Sequence, residues 1–77
     1  LGNLGALANL GVLYIKGEGT AADAPRAASL FRKGAEAGNA RCMELLAVCL
    51  DDGIGVTKDA AAAEQWRQKA AALSKKE

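Results

Sequence analysis

Residues 11–23 read "GVLYIKGEGTAAD" and residues 47–59 read "AVCLDDGIGVTKD". Each runs from an apolar stretch into a Gly-x-Gly pair and then reaches an aspartate, so that Gly17, Gly19 and Asp23 correspond to Gly53, Gly55 and Asp59 at an offset of 36 residues. The same offset pairs Gly2 with Gly38, Asn3 with Asn39, Leu10 with Leu46 and Val12 with Val48 upstream. Downstream it pairs Ala27 with Ala63, Lys33 with Lys69 and Ala35 with Ala71. The register does not slip. A tandem repeat of this period marks stacked supersecondary units, each too small to bury its apolar face alone.

Within each unit the apolar spacing is helical. Leu7, Leu10 and Tyr14 in the first, and Met43, Leu46 and Leu50 in the second, fall at i, i+3 and i+7. Gly-x-Gly ends this helix, because glycine reaches the left-handed conformation of a helix C-cap without steric cost. Asp23 and Asp59 then stand where an N-cap carboxylate accepts orphan N–H groups, and Pro25 fits the first turn that follows. Ala27, Leu30 and Ala35, matched by Ala63, Trp66 and Ala70, supply the apolar stripe of a second helix.

These signals predict four helices, at roughly 4–15, 24–37, 40–51 and 60–73. They group into repeat one (2–37), repeat two (38–73) and a polar tail (74–77), with Gly38 and Asn39 joining the units. The fold class expected is all-α: a short α-solenoid of two antiparallel helix-turn-helix repeats with a 36-residue period. Small residues at Ala6, Gly11, Ala27, Ala47 and Ala63 are expected where helices approach closely.

Composition agrees and narrows the function. Seventy-seven residues, rich in Ala and Leu with one proline, make at most one compact domain, with a stability on the order of 4 to 11 kcal/mol. Ten basic against nine acidic residues leave a formal charge of +1, so no field of one sign draws in nucleic acid or an anionic membrane. No apolar run approaches the roughly 20 residues of a membrane span, and no signal-peptide pattern opens the chain. The sequence begins at Leu1 already inside a helical pattern, which reads as a piece of a longer protein.

Catalytic and metal signatures are weak. Histidine is absent, which removes the commonest general base and metal ligand at neutral pH. Ser29, Ser74, Thr20 and Thr57 belong to no nucleophile signature, so neither catalysis nor a cofactor is expected. The Gly-x-Gly pairs follow helices and lack the third glycine or Gly-Lys-Ser/Thr of a phosphate loop. Asp51, Asp52 and Asp59 lack the alternating ligands of a calcium loop. Asp51 and Asp52 face the negative end of a helix dipole; a solvated loop edge explains them, with a contact for a basic partner as the alternative. Cys42 and Cys49 lie seven apart on one helix, about 10.5 Å between Cα atoms at 1.5 Å per residue, too far for a disulfide. They read as small buried hydrophobes, and reduced thiols lean towards a cytoplasmic setting without excluding the periplasm.

In the first unit Ala6, Leu10, Gly11, Tyr14, Gly17, Gly19, Asp23, Arg26, Ala27, Leu30 and Lys33 carry a specific spacing. Cys42, Leu46, Ala47, Leu50, Gly53, Gly55, Val56, Asp59, Ala63, Trp66, Lys69, Ala70 and Ala71 repeat it. This spacing resembles the Sel1-like repeat, a relative of the tetratricopeptide repeat with a 36-residue unit. Thr20, Leu50, Ala62 and Gly34 depart from the family's valine, tyrosine, basic residue and alanine, departures expected to loosen the second unit. The resemblance implies an interaction scaffold, often bacterial, that holds protein partners on a concave face lined by the first helix of each unit. By analogy with tetratricopeptide packing, the candidate partner-binding residues are Ala8, Asn9, Val12, Lys16, Arg41, Glu44, Val48 and Asp52. Of these, Asn9, Lys16, Arg41 and Glu44 would make polar contacts to a protein or peptide, and Val12 and Val48 an apolar floor. The alternative is a terminal, capping segment of a longer solenoid. The polar tail "SKKE" supports it, while Leu1, Leu4 and Leu7 suggest an apolar N-terminal edge open to stacking or to a second copy.

Overall fold

Polar side chains start three of the four helices. In the computed structural model, which describes residues 4–17 and 21–74, the helices are α1 (Leu4–Lys16), α2 (Ala24–Glu36), α3 (Ala40–Asp52) and α4 (Ala60–Ser74). Asp23 Oδ1 accepts from the Arg26 N–H at 3.1 Å and Asp59 Oδ1 from the Ala62 N–H at 3.1 Å, the N-cap role assigned to both. Asn39, read from the sequence only as a joint, is also an N-cap: its Oδ1 accepts from the Cys42 N–H at 2.9 Å and opens α3. Leu1, Gly19, Thr20, the side chains of Leu4 and Ser74, and tail residues 75–77 lie outside the described residues.

The sequence repeat is also a repeat of backbone hydrogen bonds. The Asp23 N–H donates to the Tyr14 carbonyl at 2.9 Å, and the Asp59 N–H to the Leu50 carbonyl at 2.8 Å. Gly53 closes α3 in the left-handed region at φ 71° and donates its N–H to the Cys49 carbonyl. Gly55 does more than end a helix. A Cβ there would fall on the Ala24 carbonyl and 2.8 Å from Pro25 N, so the loop between α3 and α4 lies directly on the start of α2.

The helices pack in chain order, α1 on α2, α2 on α3 and α3 on α4, with α1 also touching α3. The result is a slab of 37 × 30 × 15 Å, and no strand occurs among the described residues. Its core is small and closely fitted. Phe31, Leu46, Cys42 and Cys49 are its largest fully buried side chains, set among Ala27, Ala35, Ala47, Ala63 and Ala70. The Phe31 ring occupies the space that a Cβ on Gly11 would take, and the Cys42 sulfur occupies that of a Cβ on Gly34. Gly34 is therefore a close contact between the two units. The second unit is not loose either, since α3 and α4 make the most extensive helix contact in the chain.

Three expectations about α1 are corrected. Leu10, placed in the buried stripe, is 41% exposed, and Ala6, placed at a close helix approach, is exposed. Leu7, assigned to an open N-terminal edge, is half-buried against the core. All three follow from one cause. At 100° per residue Leu7, Gly11 and Tyr14 share the side of α1 that meets α2, and Ala6, Leu10 and Leu13 lie on a different side with no described helix against it.

Candidate functional site

The two first helices carry equivalent residues but different neighbours, and comparing them isolates the surface that neither packing layer uses. In α3, Met43, Ala47 and Leu50 are buried towards α4, and Cys42, Leu46 and Cys49 towards α2. The matching residues of α1 divide: Leu7, Gly11 and Tyr14 are covered to varying degree, while Leu10 and Leu13 are open. In return α1 buries Ala8 and half-buries Val12, whose counterparts Glu44 and Val48 are exposed on α3. Because α3 packs beside α1 and no described helix packs on the corresponding side of α3, Ala8 and Val12 face the second unit.

That leaves one arc uncovered on both helices. Asn9 and Lys16 on α1 are one i, i+7 pair, and the equivalent pair on α3 is Leu45 and Asp52, with Arg41 one turn before Leu45. Asn9, Lys16, Arg41 and Asp52 are exposed. Leu45 is half-buried and packs its inner side on the core; it was missed because a leucine at helical spacing reads as interior.

The eight candidates therefore separate. Asn9, Lys16, Arg41 and Asp52 share the uncovered arc. Ala8 is fully buried and offers a partner no surface, a correction forced by α3 packing beside α1. Val12 is half-buried for the same reason. Glu44 and Val48 are exposed, Val48 by 48%, on the side of α3 turned away from the first unit.

The electrostatics of the second unit are internal. Asp51 accepts a hydrogen bond from Arg67 Nη1, and Arg67 Nη2 reaches Glu64 at 3.5 Å. The Asp51 carboxylate raises the Arg67 pKa above its ordinary value, chiefly through this hydrogen bond. Asp51, half-buried, is thus engaged by a basic residue of its own chain, and Asp52 remains exposed. Arg26 lies 5.6 Å from the Tyr14 ring centroid and Lys69 4.9 Å from that of Trp66, cations covering the outer faces of two half-buried aromatics. Trp66 packs on the core, as expected from its place in the α4 stripe.

Cys42 and Cys49 are buried and reduced, and burial pushes both thiols up, with Asp52 adding to the effect at Cys49, so they are protonated at neutral pH. Among the described residues no three Cys, Asp or Glu side chains gather as metal ligands, and no helix is long and apolar enough to cross a membrane. The described surface includes two shallow depressions. One runs along α2 between Asp23, Arg26, Ser29 and Lys33, and the other, apolar, lies between Gly38, Met43, Ala72 and Leu73.

Comparison with known proteins agrees with this geometry. The sequence profile of the family described as Sel1 repeat matches residues 4–39 and again 40–75. The crystal structure of a Sel1 repeat protein from Oxalobacter formigenes superposes with a TM-score of 0.87 at 33% sequence identity over 91% of this chain. The chain spans 29% of the length of that structure. No curated protein matches the sequence.

Proposed function

The chain belongs to the Sel1 repeat family, and from that premise we propose that it is a protein-binding module whose partner, a protein or peptide, lies along the first helices of the two units. Sel1 repeats mediate protein–protein interaction and are typically non-catalytic scaffolds. The observation that carries the finer reading is the arc left uncovered on both α1 and α3 after every helix contact has been made. It presents Asn9, Lys16, Arg41 and Asp52, polar groups of both signs on rigid helices, beside the partly exposed Leu45. Polar groups around a small apolar centre suit a transient interface. We take this arc as the concave face of the solenoid, with Lys16 and Arg41 holding carboxylates or carbonyls of the partner and Asp52 a basic group.

Selection of a random peptide library displayed on phage against the immobilised chain tests this. The double variant Lys16→Glu, Arg41→Glu should lower the affinity of most selected peptides by about tenfold or more, which is 1.4 kcal/mol or more. Gln65→Lys, at an exposed position of α4 away from the arc, should leave it unchanged. Peptides that bind both variants equally would remove the arc as the binding site. Circular dichroism controls for folding, since all three positions are exposed.

A further inference from the structure

The two edges of this stack differ, the first apolar and the second carrying charges beside the exposed Val48, and we infer that the stack accepts another helix pair at α1 and refuses one at α4. The inference is independent of the partner-binding arc. In the middle of the molecule the structure shows what a docked edge looks like. The second unit presents Cys42, Leu46 and Cys49, all buried, and α2, whose Ala28, Phe31, Gly34 and Ala35 are also buried, packs on α3. Gly34 brings the α2 backbone onto Cys42, and the Gly55 loop closes on the start of α2.

At the α1 edge the receiving half of that interface recurs. Leu10 and Leu13 occupy the positions of Leu46 and Cys49 and are 41% and 39% exposed where their counterparts are buried. The occupant this face fits is a helix of the α2 type, with small residues on either side of a phenylalanine, belonging to a helix pair stacked ahead of α1.

At the α4 edge the donating half carries charge at two of its four positions, while Ala70 and Ala71 keep the small residues of Gly34 and Ala35. The positions of Ala28 and Phe31, buried in mid-stack, are taken by Glu64 and Arg67, and that of the buried Ala8 on the neighbouring helix by Glu44. Asp51, Arg67 and Glu64 are then joined in one ion-pair network across α3 and α4. Stacking another unit there would strip these charges of water, a cost that leucines on the incoming helix do not offset. The network closes the stack, as the polar outer face of a terminal repeat must. It also excludes α4 of a second copy as the helix that fills the α1 edge, so the chain does not grow head-to-tail.

Two three-unit proteins test the inference. One carries a second copy of residues 2–37 ahead of Gly2, and the other a second copy of residues 38–73 after Leu73. By hydrogen exchange the first should slow opening of the original α1 by about tenfold or more, and the second should leave α4 exchange unchanged. Adding Asp51→Ile, Glu64→Ala and Arg67→Phe to the original second unit of the latter should protect α4. Equal protection from either unaltered extension, or none of α1 from the first, would overturn the inference. Light scattering of the native chain over a concentration series is the second readout. A mass that does not keep rising with concentration is expected, and open-ended oligomers of the native chain would also overturn the inference.

Discussion

Leu10 and Leu13 on α1 and Leu46 and Cys49 on α3 hold the same two positions of the repeat, yet the first pair is open and the second is buried. For Leu10 and Leu46, the same residue type, the difference lies in the neighbour. α2 stands against α3 on that side, and no described helix stands against α1. Burial in a stacked fold is thus set by a residue's place in the stack as much as by its type, and the same leucine is core in one unit and surface in the next. The opposite edge shows the complement, where charged residues replace apolar ones at positions that would be covered in mid-stack.

Substitution at these paired positions sharpens the contrast. Leu46→Ala opens a cavity under α2 and should cost about 2–5 kcal/mol, a large part of the whole stability, measured by urea unfolding. Gly34→Ala pushes a methyl into Cys42 and should cost about 1–3 kcal/mol from overpacking, outweighing the helix-propensity gain of ~0.5–1 kcal/mol. Cys42→Ala in the same chain should recover part of that loss, because the nearest obstacle is the Cys42 sulfur. Asp59→Ala removes the cap on the Ala62 N–H and should cost about 0.5–2 kcal/mol. Leu10→Ala, the counterpart of Leu46→Ala, should change unfolding by less than about 1 kcal/mol; a cost equal to that of Leu46→Ala would break the comparison.

Much of this fold is legible in the sequence because its signals are local. Gly53 and the caps Asp23 and Asp59 act within one turn, so helix bounds read from them agree with the structure to one residue at each end. The 36-residue offset supplies the stacking order. What the sequence leaves unread depends on neighbours. Leu10 matches the apolar period as well as Leu46 does, and nothing within α1 tells which side a second helix covers. Ala8 reads as a free position until α3 is placed beside it. Asp51 reads as a poorly placed carboxylate at a helix end until Arg67, sixteen residues later, is brought to it. Gly55 reads as a helix stop, and its contact with Ala24 belongs to the interface between the units. Of the candidate partner surface, taken by analogy with tetratricopeptide packing, Asn9, Lys16, Arg41 and Asp52 fall on the arc that is exposed in both units.

The most direct measurement compares equivalent positions within one molecule. Leu13→Cys places a thiol on the open edge, at the repeat position that Cys49 holds in the buried one. Under native conditions at neutral pH, a chromogenic disulfide reagent should modify the introduced thiol at a rate close to that of a free cysteine. Cys49, buried and kept protonated by burial and by Asp52, should react only when the chain unfolds. Mass spectrometry of the labelled peptides assigns each rate. A fast introduced thiol with Cys49 and Cys42 protected is the result expected; equal protection of the introduced thiol and Cys49 would mean that the α1 edge is already covered, and equal reactivity of the two that α2 does not seal α3.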